Sequence, residues 1–286
     1  MKALVSHGPA QPFSLEIVDD PEPSPGEAVA KVLACGAGLT VQHVKAGRTP
    51  IPFPRIMGHE IAAEIVEING DCGNLTVGMP VTAYFYLTCG HCKWCLINRQ
   101  TLCKNFGGYI GRACDGGYAE YIKLPAKNFV PIPETLDIYS KPAEIGVICD
   151  AIATPYKVLR RGRIAPLERV AVLGGGGGLG IQMLKMLRWA NCHVTAVELD
   201  KNKFEACLEH GADICVDAGS NNAHEALLDA SGGGFDVVID FVSSTKSLEM
   251  AVDSLGRGGR LLTLGGGGGS GSDFKLNGMT LLSKEI

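Results

Sequence analysis

The stretch RVAVLGGGGGLGIQMLKMLRWANCHVTAVELD, residues 169–200, decides the fold of the second half of this chain. It indicates an apolar strand, a glycine-rich turn, a helix, a second strand and an acidic residue. Gly175, Gly177 and Gly180 satisfy G-x-G-x-x-G, and the run of consecutive glycines allows more than one assignment of the first two positions. Such a turn sets a helix N-terminus against a pyrophosphate, so the segment predicts dinucleotide binding.

Glu198 stands at the end of the second strand of this segment. A carboxylate there accepts hydrogen bonds from the adenosine ribose and repels a 2′-phosphate, which predicts NAD(H) rather than NADP(H). The alternative is a glycine loop with no binding role. The complete strand, turn, helix and strand order around the glycines argues against that alternative.

The two halves of the 286-residue chain differ in the pattern of secondary structure that they predict. Up to about residue 133, short β-type runs alternate with turns, which predicts an all-β pattern. From about residue 151, strands alternate with helices, which predicts a doubly wound parallel sheet. We therefore expect an α/β protein with a β-rich domain at residues 1–150 and a nucleotide-binding domain at residues 151–286. The run GGGGGSGS at residues 265–272 predicts a loop.

Composition excludes several classes of function. A net charge of −4 and a pI of about 6.0, with no run of basic residues, argue against binding to nucleic acid or to a membrane surface. The sequence has neither a cleavable signal segment nor an apolar stretch long enough to span a membrane, so we expect a cytoplasmic protein with a small-molecule partner. Eleven cysteines then indicate metal binding or reduced core thiols.

The segment CGHCKWCLINRQTLC contains four cysteines with two, two and seven residues between them. Four thiolates complete a tetrahedral zinc shell and leave no position for substrate, so this zinc is predicted to be structural. An iron–sulfur cluster and thiols without metal are the competing interpretations. The four predicted ligands are Cys89, Cys92, Cys95 and Cys103.

These signals, taken in order, resemble the zinc-type medium-chain dehydrogenase/reductase superfamily, in which a GroES-like catalytic domain precedes a Rossmann domain. The resemblance covers essentially the whole chain. It implies an alcohol, carbonyl or enone substrate and a homo-oligomer, and it leads us to expect that the family's C-terminal return segment is missing after residue 286. It rests on the four-cysteine segment, the glycine turn, GHE at residues 58–60, DGGYAEY at 115–121, TPY at 154–156 and SKEI at 283–286.

The resemblance implies a catalytic zinc ion held by His59 of the GHE motif and by Asp150, four residues before Thr154. The family's remaining ligand is a cysteine two residues before a serine or threonine. In this chain that position, two residues before Thr40, is Gly38, which has no side chain to bind a metal. The resemblance also implies that Thr154 contacts the cofactor.

Other side chains near these positions are weaker ligand candidates. Glu60 follows His59 and, together with water, can complete a zinc shell of imidazole and carboxylate donors. Cys35 lies three residues before Gly38 and is expected to be a small buried hydrophobic residue on a strand. Cys149 could be the zinc ligand in place of Asp150 only if the family's ligand position were one residue earlier in this chain. The spacing to the TPY motif argues against that shift.

Thr40 and His43 match the positions at which the family passes a proton from the substrate oxygen, through a hydroxyl group and the cofactor ribose, to a surface histidine. An imidazole with a pKa near ~6.5 suits that role. The alternative is an ordinary strand-end hydroxyl and an ordinary surface histidine.

Three functions follow from these residues. The leading hypothesis is reversible hydride transfer between NAD(H) and an alcohol/carbonyl pair, with the nicotinamide in the cleft between the domains. The second is reduction of an activated C=C bond, as in an enone or an enoyl-CoA, without zinc at the catalytic site; the missing cysteine favours it. The third is NAD binding without catalysis, which the retained Thr40 and His43 argue against.

Overall fold

The computed structural model describes residues 1–264 and 277–286, so the loop predicted at residues 265–272 lies outside the described residues. The chain divides into two compact units, Met1–Asp150 and Ala151–Ile286. In the described part of the chain, no helix combines the length and the apolar character needed to cross a membrane.

The first unit contains two antiparallel sheets. One has the strand order β2–β1–β4 and the other β7–β3–β5–β6–β8. The long pairing of β3 with β5 sets Gly36 opposite Glu60, which fixes the position of the GHE motif. The strands are β1 (Lys2–Ser6), β2 (Ser14–Ile17), β3 (Glu27–Gly36), β4 (Arg55–Ile56), β5 (Glu60–Asn69), β6 (Pro80–Ala83), β7 (Tyr121–Pro125) and β8 (Phe129–Pro131).

Short helices interrupt this β-rich unit, and the sequence pattern did not predict them. α1 forms because Val41 and Val44, three residues apart, lie on one helix face and are buried against Met57. A single π-helical turn at Ile148–Ile152 carries Asp150. The α-helices are α1 (Leu39–Lys45), α2 (Lys93–Leu96) and α3 (Pro142–Gly146).

The second unit has a parallel sheet with the strand order β11–β10–β9–β12–β13, the order of a doubly wound nucleotide-binding fold. Val170 and Val172 face one core and Ala171 and Leu173 face the other, because side chains alternate along a strand and helices cover both faces. The predicted α/β class is confirmed. The elements are α4 (Ala153–Arg161), β9 (Arg169–Leu173), α5 (Gly178–Trp189), β10 (His193–Glu198), α6 (Phe204–Glu209), β11 (Ile214–Asp217), α7 (Ala223–Ser231), β12 (Phe235–Asp240), α8 (Thr245–Ser254), β13 (Leu255–Thr263) and α9 (Gly278–Lys284).

Candidate active site and metal centre

The glycine turn connects β9 to α5. Gly177 is the N-cap residue of α5, which begins at Gly178, so the unpaired N–H groups of the first helical turn are at this loop. A Cβ atom at Gly180 would overlap the carbonyl oxygen of Gly174 and lie 2.5 Å from that of Gly175. Glycine at position 180 therefore allows the helix to pack closely on the loop, as a phosphate-binding turn requires.

Glu198 is buried at the end of β10 and holds this turn in place. One carboxylate oxygen accepts a hydrogen bond from the N–H of Gly176 at 2.8 Å. The other accepts from the N–H groups of Leu199 and Asp200 at 2.8 and 3.1 Å. A carboxylate has about four acceptor positions, so these bonds leave room for about one more donor. The structure therefore adds an anchoring role to the ribose contact predicted from the sequence.

The four predicted zinc ligands converge in the first unit, and none of them is in a disulfide bond. Their sulfur atoms lie within 4.8 Å of one another, and the closest pairs are 3.5–4.0 Å apart. Zn–S bonds of about 2.3 Å in a tetrahedron give sulfur–sulfur edges of about 3.8 Å. These thiols therefore have the spacing of a zinc site with four cysteine ligands.

Backbone N–H groups in and beside this lobe, residues 89–103, lower the pKa of Cys89 and Cys92, whereas burial raises the pKa of Cys95 to about 11. The N–H groups of Cys95 and Lys104 lower the pKa of Cys92 to about 6. The N–H of Cys89 also donates to the sulfur of Cys103 at 3.3 Å, and that of Cys92 to the sulfur of Cys89 at 3.4 Å. Because metal ligands must be deprotonated, these donors favour the species that binds zinc.

His59 and Asp150 meet although they are 91 residues apart in the sequence: the His59 Nε2 atom lies 3.2 Å from Asp150 Oδ2. The imidazole is buried, and its ring centroid lies 4.9 Å from that of Phe85. Across residues 1–264 and 277–286, the four cysteines are the only group of three or more potential ligands arranged to hold a metal ion. The pair therefore does not form a converged zinc site with Glu60.

Glu60 is buried, and its carboxylate lies beside Gly38, the residue at the position of the family's cysteine ligand. A Cβ atom at Gly38 would lie 3.2 Å from Glu60 Oε2. Cys35 is half-buried at the edge of the sheet core, and burial raises its pKa to about 12. A protonated thiol in the core is a poor metal ligand, in agreement with the prediction that Cys35 is a small hydrophobic residue.

Thr40 and His43 are both on α1, three residues apart, and so lie on the same side of the helix. His43, predicted to be a surface histidine, is partly exposed. Its Nδ1 atom is buried and has no hydrogen-bond partner in the described part of the chain. Burial, followed by the positive charges of Arg48 and Arg112, lowers the pKa of His43 below its ordinary value.

Thr154 lies in the first turn of α4. The role predicted for it, like the roles predicted for Thr40 and His43, stays a prediction.

An aromatic cluster extends from His59. Phe85 contacts the imidazole and also lies 6.1 Å, between ring centroids, from Tyr109. Tyr109 packs edge-on against Tyr86 at 5.0 Å, and the backbone of the same two residues forms an isolated β-bridge. The Arg112 guanidinium lies 5.0 Å from the centroid of the Tyr109 ring. This cluster places aromatic rings and one cation near the His59–Asp150 pair.

Comparisons with known proteins agree with this geometry. A family model described as the alcohol dehydrogenase GroES-like domain matches residues 24–134, and one described as zinc-binding dehydrogenase matches residues 178–286. An alcohol dehydrogenase from Geobacillus stearothermophilus is 34% identical over 270 residues, which cover 93% of this chain and 77% of the relative. The chain belongs to the zinc-type medium-chain dehydrogenase/reductase superfamily. It is an oxidoreductase of the alcohol dehydrogenase type.

Other members of the superfamily extend the comparison. An L-threonine 3-dehydrogenase from Thermococcus kodakarensis is 30% identical over 271 residues, 93% of this chain and 75% of the relative. The cobalt- and zinc-bound alcohol dehydrogenase of Pyrobaculum aerophilum matches with a TM-score of 0.85 and 30% identity, and the match covers all of this chain and 82% of that one.

Two solved members contain different cofactors. An alcohol dehydrogenase from E. coli CFT073 in complex with NADH has a TM-score of 0.87 at 25% identity, with coverage of 100% and 81% of the two chains. A Sinorhizobium meliloti 1021 protein bound to NADP has a TM-score of 0.88 at 29% identity, with coverage of 99% and 82%. Zinc and NAD(H) are thus found in this superfamily, and its members do not all bind the same nicotinamide cofactor.

Arg112 and the tyrosines of the aromatic cluster were not predicted from the sequence. Arg112 is only three residues before the DGGYAEY motif, yet nothing in its local sequence distinguishes it from a solvent-exposed arginine. Its position near His59 and Asp150 depends on how distant segments of the first unit pack together.

Proposed function

We propose that this chain is an NAD(H)-dependent dehydrogenase that transfers hydride between the nicotinamide and an alcohol/carbonyl substrate. One observation carries the proposal: His59 and Asp150, which the resemblance assigns to the catalytic centre, lie 3.2 Å apart. The imidazole is buried against the ring of Phe85, which holds it in one orientation, as expected of a catalytic side chain rather than of a solvent-exposed histidine.

The cofactor fits the second unit. When bound, NAD(H) donates or accepts the hydride. The close packing of Gly180 on the preceding carbonyls and the N-cap at Gly177 support pyrophosphate binding at the start of α5. The buried carboxylate of Glu198 at the end of β10 supports NAD(H), because a fixed negative charge there repels a 2′-phosphate.

Thr40 and His43 then move the proton. During alcohol oxidation, the Thr40 hydroxyl would accept the proton of the substrate hydroxyl and release its own proton toward His43. A ribose hydroxyl of bound NAD(H) would supply the link between the two side chains. His43 suits the role of acceptor because burial keeps its pKa below the ordinary value, so the imidazole is neutral at pH 7. Its buried Nδ1 atom, without a partner among the described residues, is an available acceptor.

Zinc fits the two candidate metal sites unequally. The four cysteines fit a structural zinc ion. His59 and Asp150 provide two donors in direct contact, the third family position is Gly38, and the carboxylate of Glu60 is beside that glycine. These residues do not fit a three-ligand catalytic zinc as they are arranged, so no proton or hydride step is routed through it.

The absence of a ligand side chain at Gly38 favours a second candidate, reduction of an activated C=C bond. That reaction needs hydride addition and protonation of an enolate, and the carbonyl oxygen can be polarised by a hydrogen bond from Thr40 instead of a metal.

The deciding experiment measures zinc per chain by elemental analysis, with initial rates on alcohols, ketones and enones. The variants are Asp150→Ala and a control, Asp229→Ala, which removes an exposed carboxylate on α7. Loss of alcohol oxidation in Asp150→Ala but not in Asp229→Ala supports alcohol/carbonyl chemistry at the His59–Asp150 pair, whether the wild type holds one zinc ion or two. One zinc ion in every variant, with activity confined to enones, supports the second candidate instead.

A further inference from the structure

Arg112 is held in a tight turn of the first unit. An isolated bridge pairs Ile110 with Cys114 across this turn, and the Arg112 N–H donates to the carbonyl oxygen of Tyr109 at 3.1 Å. The guanidinium folds back over the Tyr109 ring, 5.0 Å from its centroid. The side chain is half-buried, so the cation is held in one place rather than extended into water.

Among the described residues this cation forms no ion pair, although the negative charge of Asp150 is within electrostatic reach. Among residues 1–264 and 277–286, none accepts a hydrogen bond from the Arg112 side chain or forms an ion pair with it. By contrast, Arg55 pairs with Asp115 at 2.9 Å, and Arg260 pairs with Glu168 at 2.8 Å. A guanidinium has five N–H donors, so partial burial without an acceptor leaves a strong binding position for an anion.

The position is beside the proposed catalytic groups. The Tyr109 ring under the guanidinium contacts Phe85, which in turn contacts His59. Burial lowers the pKa of Arg112, and the negative charge of Asp150 opposes that effect. The positive charge of Arg112 in turn contributes to the lowered pKa of His43. Arg112 is therefore within electrostatic reach of both the metal-ligand candidate and the relay histidine.

We propose that Arg112 binds a carboxylate of the substrate, so that the alcohol is a hydroxy acid and the carbonyl compound the corresponding oxo acid. The inference rests on the proposed function for the hydride step, and it names the substrate class. A carboxylate matches the planar fork of a guanidinium through two parallel hydrogen bonds. The Tyr109 ring below the fork fixes its plane, which favours a planar anion.

The test compares substrates that share a secondary alcohol but differ in the charge of the end group: 3-hydroxybutyrate and its uncharged methyl ester, with 3-hydroxybutyl phosphate as a third probe. The proteins are the wild type, Arg112→Met, Arg112→Lys and the control Arg99→Met. Arg99 has the same kind of contact with a different ring, 5.4 Å from the centroid of Trp94 in the four-cysteine lobe. The readouts are KM and kcat with NAD⁺, binding of each probe by calorimetry, and the Kd for NADH.

The wild type is expected to prefer the acid. Arg112→Met raises the KM for the acid by about 10- to 150-fold, the range for loss of a hydrogen bond to a charged group. In Arg112→Met, the KM for the ester and the Kd for NADH stay unchanged. Arg99→Met behaves like the wild type, and Arg112→Lys has a KM for the acid between those of the wild type and Arg112→Met. Three results would overturn the inference. They are an equal rise in KM for the acid and the ester in Arg112→Met, a changed Kd for NADH in that variant, and a preference of the wild type for the phosphate.

The two proposals fail in different ways. Turnover of neutral alcohols without any binding of the acid would overturn the carboxylate site and leave the dehydrogenase function intact. Binding of the acid that depends on Arg112, without hydride transfer to NAD⁺ from any alcohol, would support the site and contradict the proposed function.

Discussion

The carboxylate of Glu60 lies 3.2 Å from the point that a Cβ atom on Gly38 would occupy. Gly38 has φ −65° and ψ 162°, a conformation open to any L-residue, so the backbone does not require glycine there. The neighbour that a side chain would meet is the end of the Glu60 side chain, which would have to shift by only a few tenths of an ångström. The chain can therefore accept a cysteine at this position.

Gly38→Cys is expected to fold and to bind one more zinc ion per chain than Gly38→Ala. The new thiolate adds a soft donor to the imidazole of His59 and the carboxylate of Asp150, giving the three protein ligands of a catalytic zinc site. Elemental analysis after dialysis against a weak chelator measures the difference. Equal zinc content in the two variants would show that the three side chains cannot converge.

Gly180→Ala is expected to weaken NADH binding by about 5- to 150-fold. Its Cβ atom overlaps the carbonyl oxygens of the glycine turn, and relief of such overpacking costs about 1–3 kcal/mol. Gly178→Ala is the matched control, because nothing lies within 4 Å of its added Cβ atom on the same helix. Fluorescence titration with NADH compares them, and similar Kd values for the two variants would contradict the packing argument.

The pKa of His43 is expected to rise toward its ordinary value in Arg112→Met, because the variant removes a nearby positive charge. NMR titration of labelled histidines measures the shift, and Arg99→Met should leave this resonance unchanged. Because the folded-state pKa is lowered, His43 contributes stability above its unfolded pKa of about 6.5, and that contribution is lost as the pH falls toward the folded-state value. His43→Gln should therefore show a weaker fall in Tm below about pH 6.5 than the wild type.

Cys103→Ser is expected to lose the zinc ion of the four-cysteine lobe and to lower Tm. Three remaining thiolates leave the tetrahedral shell incomplete, and each 1 kcal/mol of lost stability lowers Tm by about 2–4 °C in a domain of this size. Cys192→Ser provides a control for loss of a thiol away from the lobe. Unchanged zinc content in Cys103→Ser, measured by elemental analysis, would remove Cys103 from the ligand set.

Local signals made much of this structure predictable. The strand, glycine turn and helix of residues 169–189 are contiguous, so the pattern of Gly180 and the apolar residues around it specifies the turn. The cysteines of the lobe are close in sequence, and their spacing allowed convergence to be predicted. Both features depend on short-range geometry.

Features that depend on distant segments were less accessible. The family resemblance marked His59 and Asp150, but their direct hydrogen bond depends on how β5 and the π-helical turn pack. The anchoring bond between Glu198 and Gly176 follows from the register of two parallel strands rather than from any motif. The unpaired guanidinium of Arg112 became evident only once the surrounding side chains were placed.

The four-cysteine lobe closes residues 89–103 without any sulfur–sulfur bond. Zinc would hold this loop by coordination, a cross-link that reducing agents such as glutathione do not cleave. The order of the lobe then depends on how much zinc the surroundings supply. Without zinc the lobe would lack this cross-link, and residues 89–103 would then be a loop open to proteases.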